Sequence, residues 1–211
     1  VYEGFRIDEK NVCYGRTYYS DISRLEYEGE WCDGMRWGRG VQYDRNGVVV
    51  YDGEWLNDAP LEKRVKIVSA TVLLHNCVEE LRVIDGCCNE EGLKELDLRG
   101  FVNLRELRVG IKCFEYVKKV NICGLKELER MIVGSWSFRR ANDSKGGSFY
   151  LRNCPKLKSL KMGRYSFNDY TVIEIENVDA LEVIEIGDLN EWSYNFYWAS
   201  LELKSILIHS E

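Results

Sequence analysis

Catalysis and metal binding need particular side chains at particular spacings, and this chain offers few of either. It has two histidines, His75 and His209, and eight cysteines among 211 residues. His75, Cys77, Cys87 and Cys88 are the nearest thing to a zinc set. No Cys-x-x-Cys pair occurs, and the spacing fits none of the tetrahedral patterns. His75 ends the apolar run Val72-Leu73-Leu74 and reads as structural, while His209 lies two residues from the last residue given. Gly38-Arg39-Gly40 opens no helix, and Ser144-Lys145-Gly146-Gly147 lacks the spacing of a phosphate-cradling loop. Carboxylates are abundant, yet no pair stands out as an acid and a base. A non-enzymatic protein with no cofactor and no metal is expected.

The cysteines carry a different message. Cys13, Cys32, Cys77, Cys87, Cys88, Cys113, Cys123 and Cys154 include several at apolar positions of a repeat, where a thiol behaves as a small hydrophobe. That usage points to reduced thiols and an intracellular setting, cytoplasmic or peripheral to a membrane. The sequon Asn142-Asp143-Ser144 matters only in a secreted chain.

Charge narrows the partners. The net charge is −6. Residues 1–60 hold 7 Lys/Arg against 12 Asp/Glu, and residues 61–211 hold 22 against 23. Neither half has the basic footprint of a nucleic-acid binder. The acidity of the first half also opposes simple electrostatic attachment to anionic lipid. No apolar run approaches the ~18 residues of a membrane span.

The elements that hold these residues are repeats. Tyr27-x-Gly29-x-Trp31 returns 24 residues later as Tyr51-x-Gly53-x-Trp55, with a weaker copy at Tyr2-x-Gly4-Phe5. Residues two apart share a strand face, so each strand presents a Tyr and a Trp with a Gly between. The Gly leaves room for a ring from the neighbouring repeat to lie on the backbone. Gly34, Gly38 and Gly40 punctuate a return strand, and Asp44-Arg45-Asn46-Gly47 signals a turn. Successive antiparallel hairpins are predicted.

After Pro60 the pattern changes. Residues 61–77 are expected to form an irregular junction or cap. Leu93-x-x-Leu96-x-Leu98 and Leu104-x-x-Leu107-x-Val109-Gly110 then begin a 24-residue period that closes on Leu203-x-x-Ile206-x-Ile208. Gly86, Gly110, Gly134, Gly163 and Gly187 mark it at intervals of 24, 24, 29 and 24. Each unit holds two alternating apolar segments, hence two strands and two corners. Gly-x-x-Ser-Phe at Gly134–Phe138 and Gly163–Phe167, with Cys113-Phe114 at the matching place, puts a Phe in the corner.

Both patterns carry resemblances. Tyr27-x-Gly29-x-Trp31-x-x-Gly34-x-x-x-Gly38-x-Gly40, then Asn46-Gly47, resembles a MORN repeat (membrane occupation and recognition nexus). One copy is complete; a second starts at Tyr51 and is cut short at Asp58-Ala59-Pro60; the copy from Tyr2 is degenerate, with Cys13 in place of Gly38. The match spans about residues 1–58, and because it begins mid-repeat without Met, the chain is expected to be a fragment. Residues of about 78–211 are similar to atypical leucine-rich repeats of the microbial surface-antigen type, without the usual Pro after the first strand.

The fold expected is therefore a β-rich repeat protein with little helix. A MORN β-hairpin sheet over 1–60 joins a leucine-rich-repeat solenoid over 61–211 with two extended segments per 24-residue coil. The second resemblance implies a ligand face on the first strand of each unit. Carried over by position, its outward residues are Asp97, Asn121, Tyr150 and Glu174, followed by Arg99, Cys123, Arg152 and Glu176. Their mixed types suit other proteins as partners. Protein–protein recognition or scaffolding is the function expected. One alternative is a membrane tether whose MORN part meets lipid through Arg36 and Arg39. Another is the targeting region of a longer enzyme. Self-association through an unpaired sheet edge near Val1 is also open to such a chain.

Overall fold

The computed structural model describes residues 1–69, 77–139, 146–188 and 192–204, with Leu203 described in its backbone alone. Among these residues there are strands and turns and no helix, so none long and apolar enough to cross a membrane. The chain divides into two compact units, Val1–Glu62 and Lys63–Glu211.

The first unit is one antiparallel sheet in sequence order. Its strands are β1 (Tyr2–Ile7), β2 (Lys10–Tyr18), β3 (Leu25–Cys32), β4 (Met35–Tyr43), β5 (Val49–Leu56) and the short β6 (Ala59–Pro60). Strand alternation places Tyr27, Trp31 and Trp55 in a buried cluster flanked by Tyr2 and Tyr51. The rings meet edge to face in one line, Tyr2–Trp31–Tyr27–Trp55–Tyr51, with centroids 5.2–5.4 Å apart. Each such pair adds about 0.5–1.5 kcal/mol beyond the area it buries. Aromatic contacts thus replace an aliphatic core here.

The glycines serve these rings in a way that differs from expectation. A Cβ on Gly40 would lie 2.1 Å from the Tyr27 hydroxyl, and one on Gly29 2.5 Å from the Gly40 Cα. Tyr27 therefore covers the return strand of its own repeat. It is the Trp that reaches the preceding copy: Trp31 Nε1 donates to Gly15 O at 3.4 Å, and Trp55 Nε1 to Gly40 O at 3.1 Å. The weak copy at Tyr2 joins the same stack because its Tyr is retained.

The second unit is built from short parallel strands. They are β7 (Arg64–Ile67), β8 (Glu80–Val83), β9 (Glu95–Asp97), β10 (Glu106–Val109), β11 (Lys119–Cys123), β12 (Arg130–Val133), β13 (Ser148–Arg152), β14 (Ser159–Met162), β15 (Val172–Glu176), β16 (Val183–Ile186) and β17 (Ser200–Lys204). From β8 onward they alternate between a six-stranded sheet, β7-β8-β10-β12-β14-β16, and a five-stranded sheet, β9-β11-β13-β15-β17. Leu81, Leu107, Met131 and Leu160 point inward from one sheet, and Val120, Phe149 and Ile173 from the other, into a shared apolar core.

Corners repeat with equal regularity. Phe114, Phe138 and Phe167 are buried and stack at 4.9 and 4.6 Å, almost parallel. Each Phe has left-handed backbone, φ 56–61°, which costs an L-residue roughly 1–2 kcal/mol. The stack and a buried serine offset it. Ser137 Oγ donates to Gly110 O at 2.7 Å and Ser166 Oγ to Gly134 O at 2.9 Å, one winding back. A Cβ on Gly134 would sit 2.4 Å from Gly110 O, so the windings stack at a distance only glycine permits.

Three expectations are corrected. The segment read as an irregular cap contains β7, which pairs in register with β8. Gly86 is not the counterpart of Gly110: Gly110 N donates to Val83 O where Ile84 N donates to Ile67 O, so Ile84 holds that place. Its 24-residue offset is coincidental, because the β8-to-β10 step is longer. Finally, the closing strand is β17, whose Leu201 and Leu203 pair with Ile173 and Ile175. Ser193 O takes the hydrogen bond from Tyr165 N that Arg164 O takes from Trp136 N, so the extra residues after Gly187 shift the register. Ile206 and Ile208, the core pair expected there, lie outside the described residues, as do His75, His209, the Asn142 sequon and Ser144-Lys145.

Candidate functional site

The five-stranded sheet brings the expected residues into a row. Asp97, Asn121, Tyr150, Glu174 and Glu202 are register partners on successive strands, and Cys123, Arg152, Glu176 and Lys204 form the next row. Arg99 follows β9 and folds back on Asp97, with Nη2 to Oδ2 at 2.5 Å. That guanidinium holds the Asp97 carboxyl below its ordinary value.

This face neutralises itself. Lys119 pairs with Glu95 at 3.0 Å, Arg152 with Glu174 and Glu176, and Lys204 with Glu202 at 2.5 Å. Asn121 was expected to face solvent. It is only 6% exposed, because its amide donates to Glu95 Oε1 at 2.6 Å within the packed row. The described strands carry five carboxylates against three cations, with Arg99 just after β9 as a fourth, and each of these cations has a carboxylate partner.

The six-stranded sheet is different. Its outward rows are Arg64, Glu80, Glu106, Arg130, Ser159 and Val183, and beside them Lys66, Arg82, Arg108, Ile132, Lys161 and Glu185. Those twelve positions carry six cations and three carboxylates. Glu80 forms an ion pair with Arg64 at 3.1 Å. Glu106, 7% exposed, is gripped by Arg108 and by Arg130, whose Nη2 lies 2.7 Å from Oε2. Burial works to raise the Glu106 carboxyl, but the two guanidiniums outweigh it and hold it below its ordinary value. No ion pair engages Lys66 or Arg82 among the described residues. An open cleft of about 420 Å³ lies over Arg64–Lys66, Glu80–Arg82, Glu106, Arg108 and Arg130.

Sequence reasoning missed this cleft. A signal was present: Glu80-Leu81-Arg82-Val83 and Glu106-Leu107-Arg108-Val109 are the same tetrapeptide, with Arg64-Val65-Lys66-Ile67 before them.

The two cations of the lipid alternative are engaged within the hairpin sheet. Arg36 pairs with Glu26 at 3.0 Å and its guanidinium lies 4.9 Å from the Tyr27 ring centre and 5.1 Å from that of Trp55. Arg39 pairs with Asp52 at 2.9 Å. All eight cysteines are free thiols, with Cys88, Cys113 and Cys154 buried.

Compared with known proteins, the chain matches no family model, no curated protein and no solved structure.

Proposed function

We propose that this chain is a non-enzymatic protein-binding or scaffolding module, made of MORN-like hairpins followed by a leucine-rich-repeat-like solenoid. The observation that carries it is the registered, outward-facing ladder of charged and polar side chains on each parallel sheet. Every strand contributes the same outward positions, so the face is a regular platform while the core behind it is filled by its own neighbours. Mixed charged and aromatic side chains such as Tyr150 and Arg152 suit a protein surface more than a small molecule. Membrane tethering has less support, since Arg36 and Arg39 are already paired.

Partner capture by the immobilised chain tests it. Capture should fall when Asp97, Tyr150 and Glu174 are replaced by alanine, or when Lys66 and Arg82 are replaced by glutamine. Capture indifferent to both sets, or residue-dependent turnover of a peptide, lipid or nucleotide substrate, contradicts a binding role for these faces.

A further inference from the structure

We propose that the cleft on the six-stranded sheet binds an extended acidic peptide segment of a partner protein, with Lys66, Arg82 and Arg108 as its carboxylate contacts. The assignment builds on the binding-module reading and adds a place and a ligand chemistry to it.

Lys66, Arg82 and Arg108 are register partners on β7, β8 and β10. Neighbouring strands lie ~4.8 Å apart, so three cations stand within about 10 Å. Like charges directly opposite destabilise a sheet. The fold relieves this only in part. Glu106 engages Arg108 and Arg130, and Glu80 engages Arg64, while Lys66 and Arg82 have no ion pair among the described residues. An unrelieved repulsion between register partners is the kind of local conflict that marks a functional site. An anionic partner would relieve it.

The groove also selects among anions. Glu80 and Glu106 sit in the row beside the three cations, so a continuous phosphate track laid there would meet carboxylates. A peptide delivers few, separated carboxylates. On an extended segment alternate side chains share a face ~6.8 Å apart, and lysine and arginine stems are long enough to close on that spacing. The cleft's 420 Å³ suits a few residues of such a segment.

The test uses the whole 211-residue chain and a dye-labelled octapeptide of alternating glutamate and serine, followed by fluorescence anisotropy. Binding should weaken about tenfold or more when Lys66 and Arg82 are both replaced by glutamine. It should weaken as salt rises, and fall away for the same peptide with glutamine in place of glutamate. Both cations are exposed, so the double variant should keep the unfolding midpoint of the parent chain, which is measured alongside. Arg99→Gln on the other sheet should leave binding unchanged.

Equal binding by parent and double variant overturns the proposal, as does equal binding of the glutamine peptide. Stronger variant-sensitive binding to phosphatidylserine vesicles, or to a 20-nucleotide single strand, overturns the peptide in favour of that ligand. If no peptide binds while partner capture still depends on Asp97, Tyr150 and Glu174, the cleft assignment fails and the binding-module function stands.

Discussion

The two parallel sheets share one core and present opposite solutions outside it. On the five-stranded sheet every described cation has a carboxylate beside it, as in Lys119–Glu95 and Lys204–Glu202. On the six-stranded sheet Lys66 and Arg82 form no ion pair among the described residues, although Glu80 and Glu106 stand in the next row, and a cleft opens over them. The inward residues are alike: Leu151 and Ile175 behind one face, Leu107 and Val133 behind the other, all buried. Packing therefore cannot account for the difference. What differs is the choice made at solvent-facing positions, where stability constrains a residue least. Such positions are where a partner's chemistry can be written.

Several substitutions would break or sharpen this contrast. Phe167 stands at a corner of the shared core, touching Phe138, Phe149, Tyr170 and Phe196. Phe167→Ala should cost about 3–5 kcal/mol, read as an earlier urea transition of the second unit, and both faces should fail together. If one face kept its binding, the shared core would be disproved.

Glu106→Gln should cost about 1–3 kcal/mol, because the amide removes the shared negative charge and keeps only one of the two oxygens that accept from Arg108 and Arg130. The folded protein holds this carboxyl below its unfolded value, so its contribution is complete above ~4.3 and lost as pH falls through the lower folded value. The gap in stability between parent and variant should therefore close on acidification. A gap independent of pH would show that the pair does not govern this face.

Arg152→Gln on the self-neutralised face should cost less, about 0.5–1 kcal/mol, since Glu174 and Glu176 are partly solvated. A loss as large as that of Glu106→Gln would erase the distinction between the sheets. Smallest of all is a labelling difference between Cys123, at the end of β11, and Cys154, just after β13. Burial pushes the Cys154 thiol up to about 11. Cys123, in the outward row, is also raised by burial, with Arg152 pulling the other way. A soluble disulfide reagent at pH 8 should modify Cys123 before Cys154, and reversal of that order would invert the inside and outside of β11.

Much of this was legible in the chain. Two-residue alternation in Tyr27-x-Gly29-x-Trp31 foretold both strand and buried face, and paired apolar segments foretold two strands per winding. Asp97, Asn121, Tyr150 and Glu174 fell into one registered row because each follows the same Leu, Val, Phe or Ile. The remainder was hidden for physical reasons. Arg64-Val65-Lys66-Ile67 is too short to show a period. Gly86 imitated a register position that belongs to Ile84. Five more residues separate Gly187 from Tyr194 than separate Gly163 from Tyr165, which displaced the closing strand to Leu201 and Leu203. The cation ladder was hardest to see, because Lys66, Arg82 and Arg108 are 16 and 26 residues apart. Only strand pairing makes them neighbours, and the near-zero charge of residues 61–211 masks them.

The contrast between the faces is tested most directly by zero-length carbodiimide coupling of the glutamate–serine octapeptide to the intact chain, with the modified lysines read by mass spectrometry. Coupling needs a carboxylate resting against an amine. Lys66 should carry the dominant cross-link, lost at high salt, with Lys119 and Lys204 at background. Cross-links at Lys119 or Lys204 equal to those at Lys66 would contradict the account and place the binding face on the other sheet or on neither.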